Sequence, residues 1–310
     1  MFISMNITYS DWIVSRFLNL WNLLSTVNAT WKTFRNYRTV LKTQLRQAYP
    51  VVGLLRDGRR IMISGNNGVL LLTHHPKTGY ALDYNFELDI VRVDDFKIVG
   101  GITNGDIPSI FLDGEYERLR VEGKTVLDLG ANIGDTLTYF MLRGASRVVG
   151  IEPFPHNCAL AKINIEANKF GSAAVIRLAA CAGKGGSIRI DIAQGSTTTK
   201  PQDVLEQGHE VPVLTLEQII QEHAIPTGSV MKMDTEGYEY DIILSTPNEV
   251  LRRFSSILIE YHDGYKNLKA KLESAGFRVK ADIPHAPHLL RRLAGGKTTT
   301  TYLGFLYAYR

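Results

Sequence analysis

Between residues 10 and 48, apolar side chains recur at helical spacing: Trp21, Leu24, Val27, Trp31, Phe34, Leu41 and Leu45, with lysines and arginines between them. The pattern predicts helix. A basic amphipathic helix has two common uses, lying on a membrane or partner and packing on its own protein with the charges in water. The second is the commoner and is expected here. From residue 50 to 121 the period shortens. Leu54-Leu55 and Ile61-Met62-Ile63 flank Asp57-Gly58, a hairpin signature. Residues 69–73, after Asn67-Gly68, read as another strand, followed by 88–93 and 96–99. A small, mostly antiparallel β unit is expected, and no glycine-rich strand-to-helix junction lies within it.

From residue 122, strands alternate with helices. The strands are expected at 125–130, 147–152, 175–181, 230–234, 256–262, 277–283 and 302–309. Ile133, Leu137, Phe140 and Met141 share a helical face that Gly144 is placed to end. Thr215-Leu216-Glu217-Gln218 is a capping box opening a second helix. Leu268 and Leu272 belong to a third, stopped by Gly276. Seven strands with interleaved helices predict an α/β fold, a doubly wound sheet with helices on both faces. The expected organisation is a basic helical segment over 1–50, a small β-rich unit over 51–121 and an α/β domain over 122–310.

The 310 residues are 45% apolar and 21% charged, as in ordinary globular proteins. The two cysteines, Cys158 and Cys181, form no CxxC pair and sit in apolar stretches. They read as small core residues, without a zinc or disulfide framework. Residues 1–50 carry six basic residues against Asp11, a balance of +5, so with a net charge of +4 the remaining 260 residues sum to −1 and are nearly neutral. That balance argues against extended phosphate-backbone binding by the α/β domain. No basic start followed by an apolar run and a small-residue cleavage site opens the sequence, and no apolar stretch has membrane-span length. A cytoplasmic protein is therefore expected, with peripheral membrane or partner contact through 10–48 as the alternative use of the helix.

The clearest site is Val126-Leu127-Asp128-Leu129-Gly130-Ala131-Asn132-Ile133-Gly134-Asp135-Thr136, an apolar strand running into a Gly-x-x-x-Gly turn and then a helix. The two glycines let the backbone bend sharply and approach a ligand, at the carboxyl end of the strand where open α/β sheets bind ligands. Asp128 places a charge at the end of a buried strand, which is costly unless something uses it. Eighteen residues after Gly134, Glu152 ends Val148-Val149-Gly150-Ile151, where an acid can accept hydrogen bonds from both ribose hydroxyls. A nicotinamide dinucleotide site uses the same acid, but its loop reads Gly-x-Gly-x-x-Gly. The spacing here differs, and the preceding acid suits a ligand carrying an ammonium and a sulfonium.

Asp128 to Gly134 followed by Glu152-Pro153 resembles motifs I and II of class I S-adenosylmethionine methyltransferases, which have a Rossmann-like seven-stranded sheet. Val211-Pro212-Val213-Leu214-Thr215-Leu216, Lys232-Met233-Asp234-Thr235-Glu236-Gly237-Tyr238-Glu239 and Ile257-Leu258-Ile259-Glu260-Tyr261-His262 resemble the FkbM family within that class. Met233 and Thr235 stand where that family usually has aliphatic residues. The resemblance covers about residues 122–310. It implies methyl transfer from S-adenosylmethionine, usually to an oxygen of a sugar, a lipid-linked glycan or a small metabolite. It also implies cofactor contacts from Asp128, Gly130, Ala131, Asn132, Gly134 and Asp135 in the loop. Asp128 and Gly130 would flank the methionine part, Glu152 would hold the ribose and Ala180-Cys181 would line the adenine, with Pro153 and Asp234 as further cofactor contacts.

Asp234 and Glu236, two apart near the end of one strand, can share a face, as can Glu260 and His262 at the end of the next. These four are the expected catalytic groups. The methyl of a sulfonium is already labile, so the acceptor hydroxyl is the partner that needs help, and a carboxylate or imidazole can take its proton. The structural alternatives are a helix N-cap for Asp234, helix-dipole stabilisation for Glu236 and a satisfied core histidine for His262. Lys232, on the same strand, needs a buried partner, either Asp128 or Glu260. Two acids and a histidine could also bind a divalent ion, although no spacing demands it. A nicotinamide-dependent oxidoreductase, a binding module that has lost catalysis and a nucleic-acid methyltransferase are the rival functions. The loop spacing, the intact acids and the absence of an Asn-Pro-Pro-Tyr-like motif or a Pro-Cys nucleophile oppose them in turn.

Overall fold

The computed structural model describes residues 6–74, 77–190, 208–284 and 302–310. They fall into two compact units, one formed by 17–116 and the other by the first sixteen residues with 117–310.

Helix α1 (Tyr9–Thr33) enters the smaller unit at residue 17 and is followed there by α2 (Tyr37–Arg46). Strands β1 (Val51–Leu54) and β2 (Arg60–Ile63) form the expected antiparallel hairpin. Asn36, between the helices, clamps β1: its side chain donates to the carbonyl of Val52 at 2.8 Å and accepts the amide of Leu54 at 2.9 Å. Phe34, Val40, Val51, Leu55, Ile63 and Val69 make the local core. Gly53 is required beside Phe34, because a Cβ there would sit 2.7 Å from its ring. Residues 69–73 are not a strand: α3 (Asn66–Thr73) covers them. A uniformly apolar run carries no period to separate strand from helix. Here extended Gly65 opens a helix that buries Gly68, Val69 and Leu71. Strands β3 (Leu82–Asn85), β4 (Ile90–Val93) and β5 (Phe96–Val99) form an antiparallel meander.

The packing expected for the helical stripe is also not what forms. Phe34 is buried, but Phe17, Trp21, Leu24, Val27, Trp31 and Leu45 are all exposed, Trp21 by 71%. Periodicity marks a face of a helix without saying what covers it. Among the described residues, no helix is long and apolar enough to cross a membrane.

The larger unit is a Rossmann-like α/β fold. Its elements are β6 (Thr125–Leu129), α4 (Asp135–Leu142), β7 (Arg147–Glu152), α5 (Pro155–Ala167), β8 (Ala174–Leu178), β9 (Ala180–Cys181), β10 (Gly186–Ile190) and β11 (His209–Leu214). They continue with α6 (Leu216–Glu222), β12 (Ser229–Met233), α7 (Glu239–Ser245), α8 (Asn248–Leu251), β13 (Phe254–Tyr261), α9 (Lys266–Ser274), β14 (Arg278–Ala281) and β15 (Gly304–Tyr309). The seven-stranded sheet runs β14-β15-β13-β12-β6-β7-β8, with β13 to β8 parallel and β15 antiparallel to both its neighbours. All seven expected strands are in it, but the stretch 175–181 is broken at Ala179. Up to Leu178 it pairs with β7, and from Ala180 it pairs with β11 in a separate small sheet.

Alternation along the strands separates two faces. Leu127, Leu129, Val149, Ile151, Met231, Met233, Ile257 and Ile259 form one apolar face with Leu216 and Ile219 of α6, Ile242 and Ile243 of α7, and Leu268 and Leu272 of α9. On the other face Lys232, Asp128 and Gly150 stand in register across three strands. Gly150 has no room for a side chain, because Ala131 of the loop after β6 and Leu137 of α4 fill the space, and a Cβ would lie 2.8 Å from each. Thr215 caps α6 through the expected capping box, accepting the Gln218 amide while the Gln218 side chain accepts the Thr215 amide. The N-terminal segment belongs to this unit. Asn6 bonds to Asp263, Tyr265, Lys266 and Asn267, and Asp11 accepts the Tyr265 hydroxyl at 2.8 Å.

Candidate active site

Four neighbouring parallel strands, β13, β12, β6 and β7, end on one side of the sheet, and the expected site residues other than Ala180 and Cys181 sit at or just beyond those ends. After β6 the chain turns through Gly130, at φ +79°. A Cβ there would collide with the carbonyl oxygen of Asp234, so only glycine lets the β6 and β12 ends approach this closely. Ala131 donates to the Ile151 carbonyl at 3.1 Å. Asn132 is left-handed at φ 46°, and Gly134, at φ +79°, leads into α4 against Ala161. Asp135 is buried in the first turn of α4 and accepts the Thr136 amide.

Asp128 is occupied within the protein. It is fully buried beneath the loop, accepts a hydrogen bond from the Thr136 hydroxyl, and lies 3.1 Å from the Lys232 ammonium. Lys232 also donates to the Gly130 carbonyl at 2.6 Å. Burial disfavours the ammonium, but Asp128 and Asp234 more than offset it and hold Lys232 above the ordinary lysine range. Of the two partners the sequence allowed for Lys232, the sheet register selects Asp128.

Glu152, at the tip of β7, is buried and braces the loop. One carboxylate oxygen accepts the Asn132 amide at 2.9 Å; the other accepts the Phe154 amide at 2.9 Å and the Asn157 side chain at 3.3 Å. Burial pushes its carboxyl up to about 7, against the pull of those hydrogen bonds. Pro153, half-buried, leads from it towards α5. Ala180 and Cys181 are buried in β9, and burial pushes the Cys181 thiol up to about 12.

Asp234 and Glu236 lie in the loop after β12, and His262 follows β13. Ligand atoms of the three lie within 4.8 Å of one another, an oxygen and nitrogen set of the kind a hard divalent ion accepts. His262 Nε2 is 3.8 Å from Asp234 and 3.5 Å from Glu236. Glu260 is not part of that group; it is half-buried on β13, paired across the sheet with Phe305. Asp234 is not a helix cap, since α7 starts five residues later. Glu236 occupies a left-handed conformation at φ 52°, uncommon for a side chain of this kind and of the sort that collects at functional sites.

Sequence reasoning did not single out Glu239, the last acid of the Lys232–Glu239 run. It is completely buried at the start of α7. One oxygen accepts the His262 backbone amide at 3.0 Å and faces Nδ1 at 3.0 Å, and the other accepts the Gly237 amide at 2.8 Å. This fixes the imidazole edge-on, with Nε2 towards Asp234 and Glu236. Burial lowers the affinity of His262 for its proton, but the bond and charge of Glu239, with Asp234 and Glu236 behind, raise it to about 9. The site is thus an imidazolium backed by a buried carboxylate and facing two partly exposed ones.

No curated protein matches the chain. Among solved structures, it resembles the FkbM methyltransferase of Methylobacillus flagellatus KT at 16% identity and a TM-score of 0.42, over 63% of this chain and 46% of that one. The chain therefore spans less than half the length of that protein. The TrmK of M. capricolum, in complex with S-adenosyl-homocysteine, is similar at 12% identity and a TM-score of 0.39, over 63% and 66% of the two chains. A putative RNA methyltransferase of Pyrococcus horikoshii gives 12% and 0.34, over 61% and 74%. Residues 128–279, from the acid beneath the glycine loop to β14, match the methyltransferase FkbM domain family, and the chain is a member of that family through this domain.

Proposed function

We propose that the chain transfers a methyl group from S-adenosylmethionine to a hydroxyl oxygen of a sugar, glycolipid or small metabolite. The observation that carries this reading is the convergence of Asp234, Glu236 and His262 beside a glycine loop braced by Glu152. The residues suit the donor. Glu152 offers a carboxylate to ribose hydroxyls, and Gly130, Ala131, Asn132, Gly134 and Asp135 form the turn it lies against. Pro153, Ala180 and Cys181 offer apolar surface to a base. The buried Lys232 is paired with Asp128, so the strand ends present carboxylates, which favour a ligand with cationic groups over a pyrophosphate.

When bound, S-adenosylmethionine supplies an electrophilic methyl and leaves as the neutral thioether. The protein's part is to place the acceptor oxygen and remove its proton. Asp234, with a side chain 22% exposed, is the carboxylate open to an acceptor hydroxyl and takes that proton. His262, held by Glu239, positions Asp234 and Glu236 and keeps two like charges together. In-line placement lowers the barrier further.

The test is Asp234→Asn, which keeps shape and removes the charge. Calorimetry with S-adenosylmethionine and, separately, with a nicotinamide dinucleotide identifies the donor. Extracts incubated with labelled S-adenosylmethionine identify the acceptor by mass spectrometry. On that acceptor, Asp234→Asn should bind donor nearly normally and transfer methyl about 10²–10⁴-fold more slowly. A wild-type single-turnover rate would remove Asp234 from the chemistry and leave Glu236 as the next acid to test.

A further inference from the structure

We infer that the exposed face of α1 docks on the surface of a bilayer containing anionic lipid. From Phe17 to Trp31 the chain has no charged residue, and five of its large side chains point into solvent: Phe17, Trp21, Leu24, Val27 and Trp31 are exposed by 38–71%. Spacings of three and four residues put these along one side of the helix, which drifts slowly around the axis over about 21 Å of rise. Isolated exposed apolar residues need no explanation, but a continuous stripe of this length containing two aromatic types marks an interaction surface.

Charge identifies the occupant. Immediately after the stripe, residues 32–60 contain eight lysines and arginines and a single acid, Asp57. Lys32, Arg35, Arg38, Lys42, Arg46, Arg56, Arg59 and Arg60 are all exposed. The structure fixes the junction between the two zones. Arg56 donates through Nε and Nη2 to the Trp31 carbonyl at 3.0 and 2.8 Å, and its guanidinium lies 5.3 Å from the Trp31 ring centre. Arg35 donates to the Arg56 carbonyl at 3.2 Å. Cations are thus held at the end of an apolar, tryptophan-bearing stripe, the combination that places aromatic rings at the headgroup level and guanidinium groups on lipid phosphates. The uncharged stripe is too short to span a bilayer, and α1 is not a membrane-crossing helix. The geometry is that of a helix lying in the interface.

All three tryptophans of the chain, Trp12, Trp21 and Trp31, lie in α1, so tryptophan emission reports on that helix alone. The experiment adds the full chain to vesicles of phosphatidylcholine and of phosphatidylcholine mixed with phosphatidylglycerol. Emission and co-flotation are recorded, with brominated acyl chains as quenchers. The expected result is a blue shift, quenching and flotation with the anionic vesicles. Binding should weaken about tenfold or more when salt is raised to molar strength or when Arg35→Glu and Arg38→Glu are combined. Trp21→Glu with Leu24→Glu should abolish flotation without changing the melting temperature, since both residues are exposed. Phe17→Ser gives a milder version should that pair lower expression. No flotation, or flotation unaffected by the stripe variants, would overturn the inference. So would a dimer in light scattering that the stripe variants dissociate while vesicles bind none of the proteins, which would make the face an interface between copies of the chain.

Discussion

Two clusters of ionisable groups lie within a few residues of each other in the methyltransferase domain and are built on opposite principles. Asp128 and Lys232 face each other across neighbouring strands with no exposure, and each has a further hydrogen bond, from Thr136 and to Gly130 respectively. Asp234, Glu236 and His262 are held more loosely. Their contacts are 3.5–3.8 Å, and two of the three side chains reach solvent. A buried pair of opposite charges that satisfies itself fixes a scaffold. A partly open cluster with more carboxylate than cation keeps capacity for something else. Both draw on one sequence run, which gives Lys232 to the first and Asp234 and Glu236 to the second, and burial separates the roles of its members.

The comparison breaks most directly at the buried pair. Lys232→Met leaves Asp128 dehydrated and without its cation, so that the carboxyl must stay charged in the interior or take up a proton, and is expected to cost about 3–5 kcal/mol in urea unfolding. Adding Asp128→Leu should recover most of that loss, because two apolar groups replace a complete pair. Asp234→Asn should move stability by less than about 1 kcal/mol. Equal destabilisation by Lys232→Met and Asp234→Asn would mean that the two clusters are energetically alike.

The second test sharpens what holds His262. Its imidazolium keeps its proton to about pH 9 in the folded chain, against about 6.5 unfolded. The stability it contributes is therefore complete below about pH 6.5 and is lost as pH rises through about 9. Glu239→Gln removes the nearest charge while Asp234 and Glu236 remain, so the His262 titration, followed by NMR, should fall from about 9 towards 6.5. The decline in stability should move to lower pH with it. Loss of methyl transfer without that titration shift would give Glu239 a purely structural role. An unmoved titration with normal transfer would show that the two front carboxylates suffice.

The parts of this architecture that were legible in the sequence are those written in local pattern. Seven strands, the capping box at Thr215, the left-handed glycines at 130 and 134 and the acid at 152 each follow from spacing and residue type over a few positions. What depended on contacts between distant segments was not. Residues 69–73 are apolar without period, so strand and helix were locally equivalent. Lys232 had two candidate acids, and only the register against β6 chose between them. Glu239 acts through His262, 23 residues later, and had no local mark beyond its place in the family run. Glu260 and His262 alternate correctly on β13, yet only His262 lies past the end of the strand, where the loop after β12 can meet it. The stripe of α1 declared its face, but not that the face would be bare.

The smallest expected effect concerns Glu152, which shares features of both clusters: it is buried like Asp128, and it lies at a strand end like Asp234. Its carboxyl is pushed up to about 7 chiefly by burial, although the amides of Asn132 and Phe154 pull the other way. Burial thus works against the charged form, and the folded chain loses stability as pH rises from about 4.5 through 7. A ribose donating hydroxyl hydrogens to this group prefers the carboxylate, so donor binding must overcome any proton still held. Affinity for S-adenosylmethionine should therefore rise about tenfold between pH 6 and pH 8, the change in ionised fraction for a group titrating near 7. Glu152→Gln cannot ionise, so its affinity should be flat over the same range and about 1–3 kcal/mol weaker than wild type at pH 8. Calorimetry at several pH values measures both. A wild-type affinity already flat with pH, and unchanged in Glu152→Gln, would confine Glu152 to bracing the Asn132 turn and place it with Asp128 as scaffold.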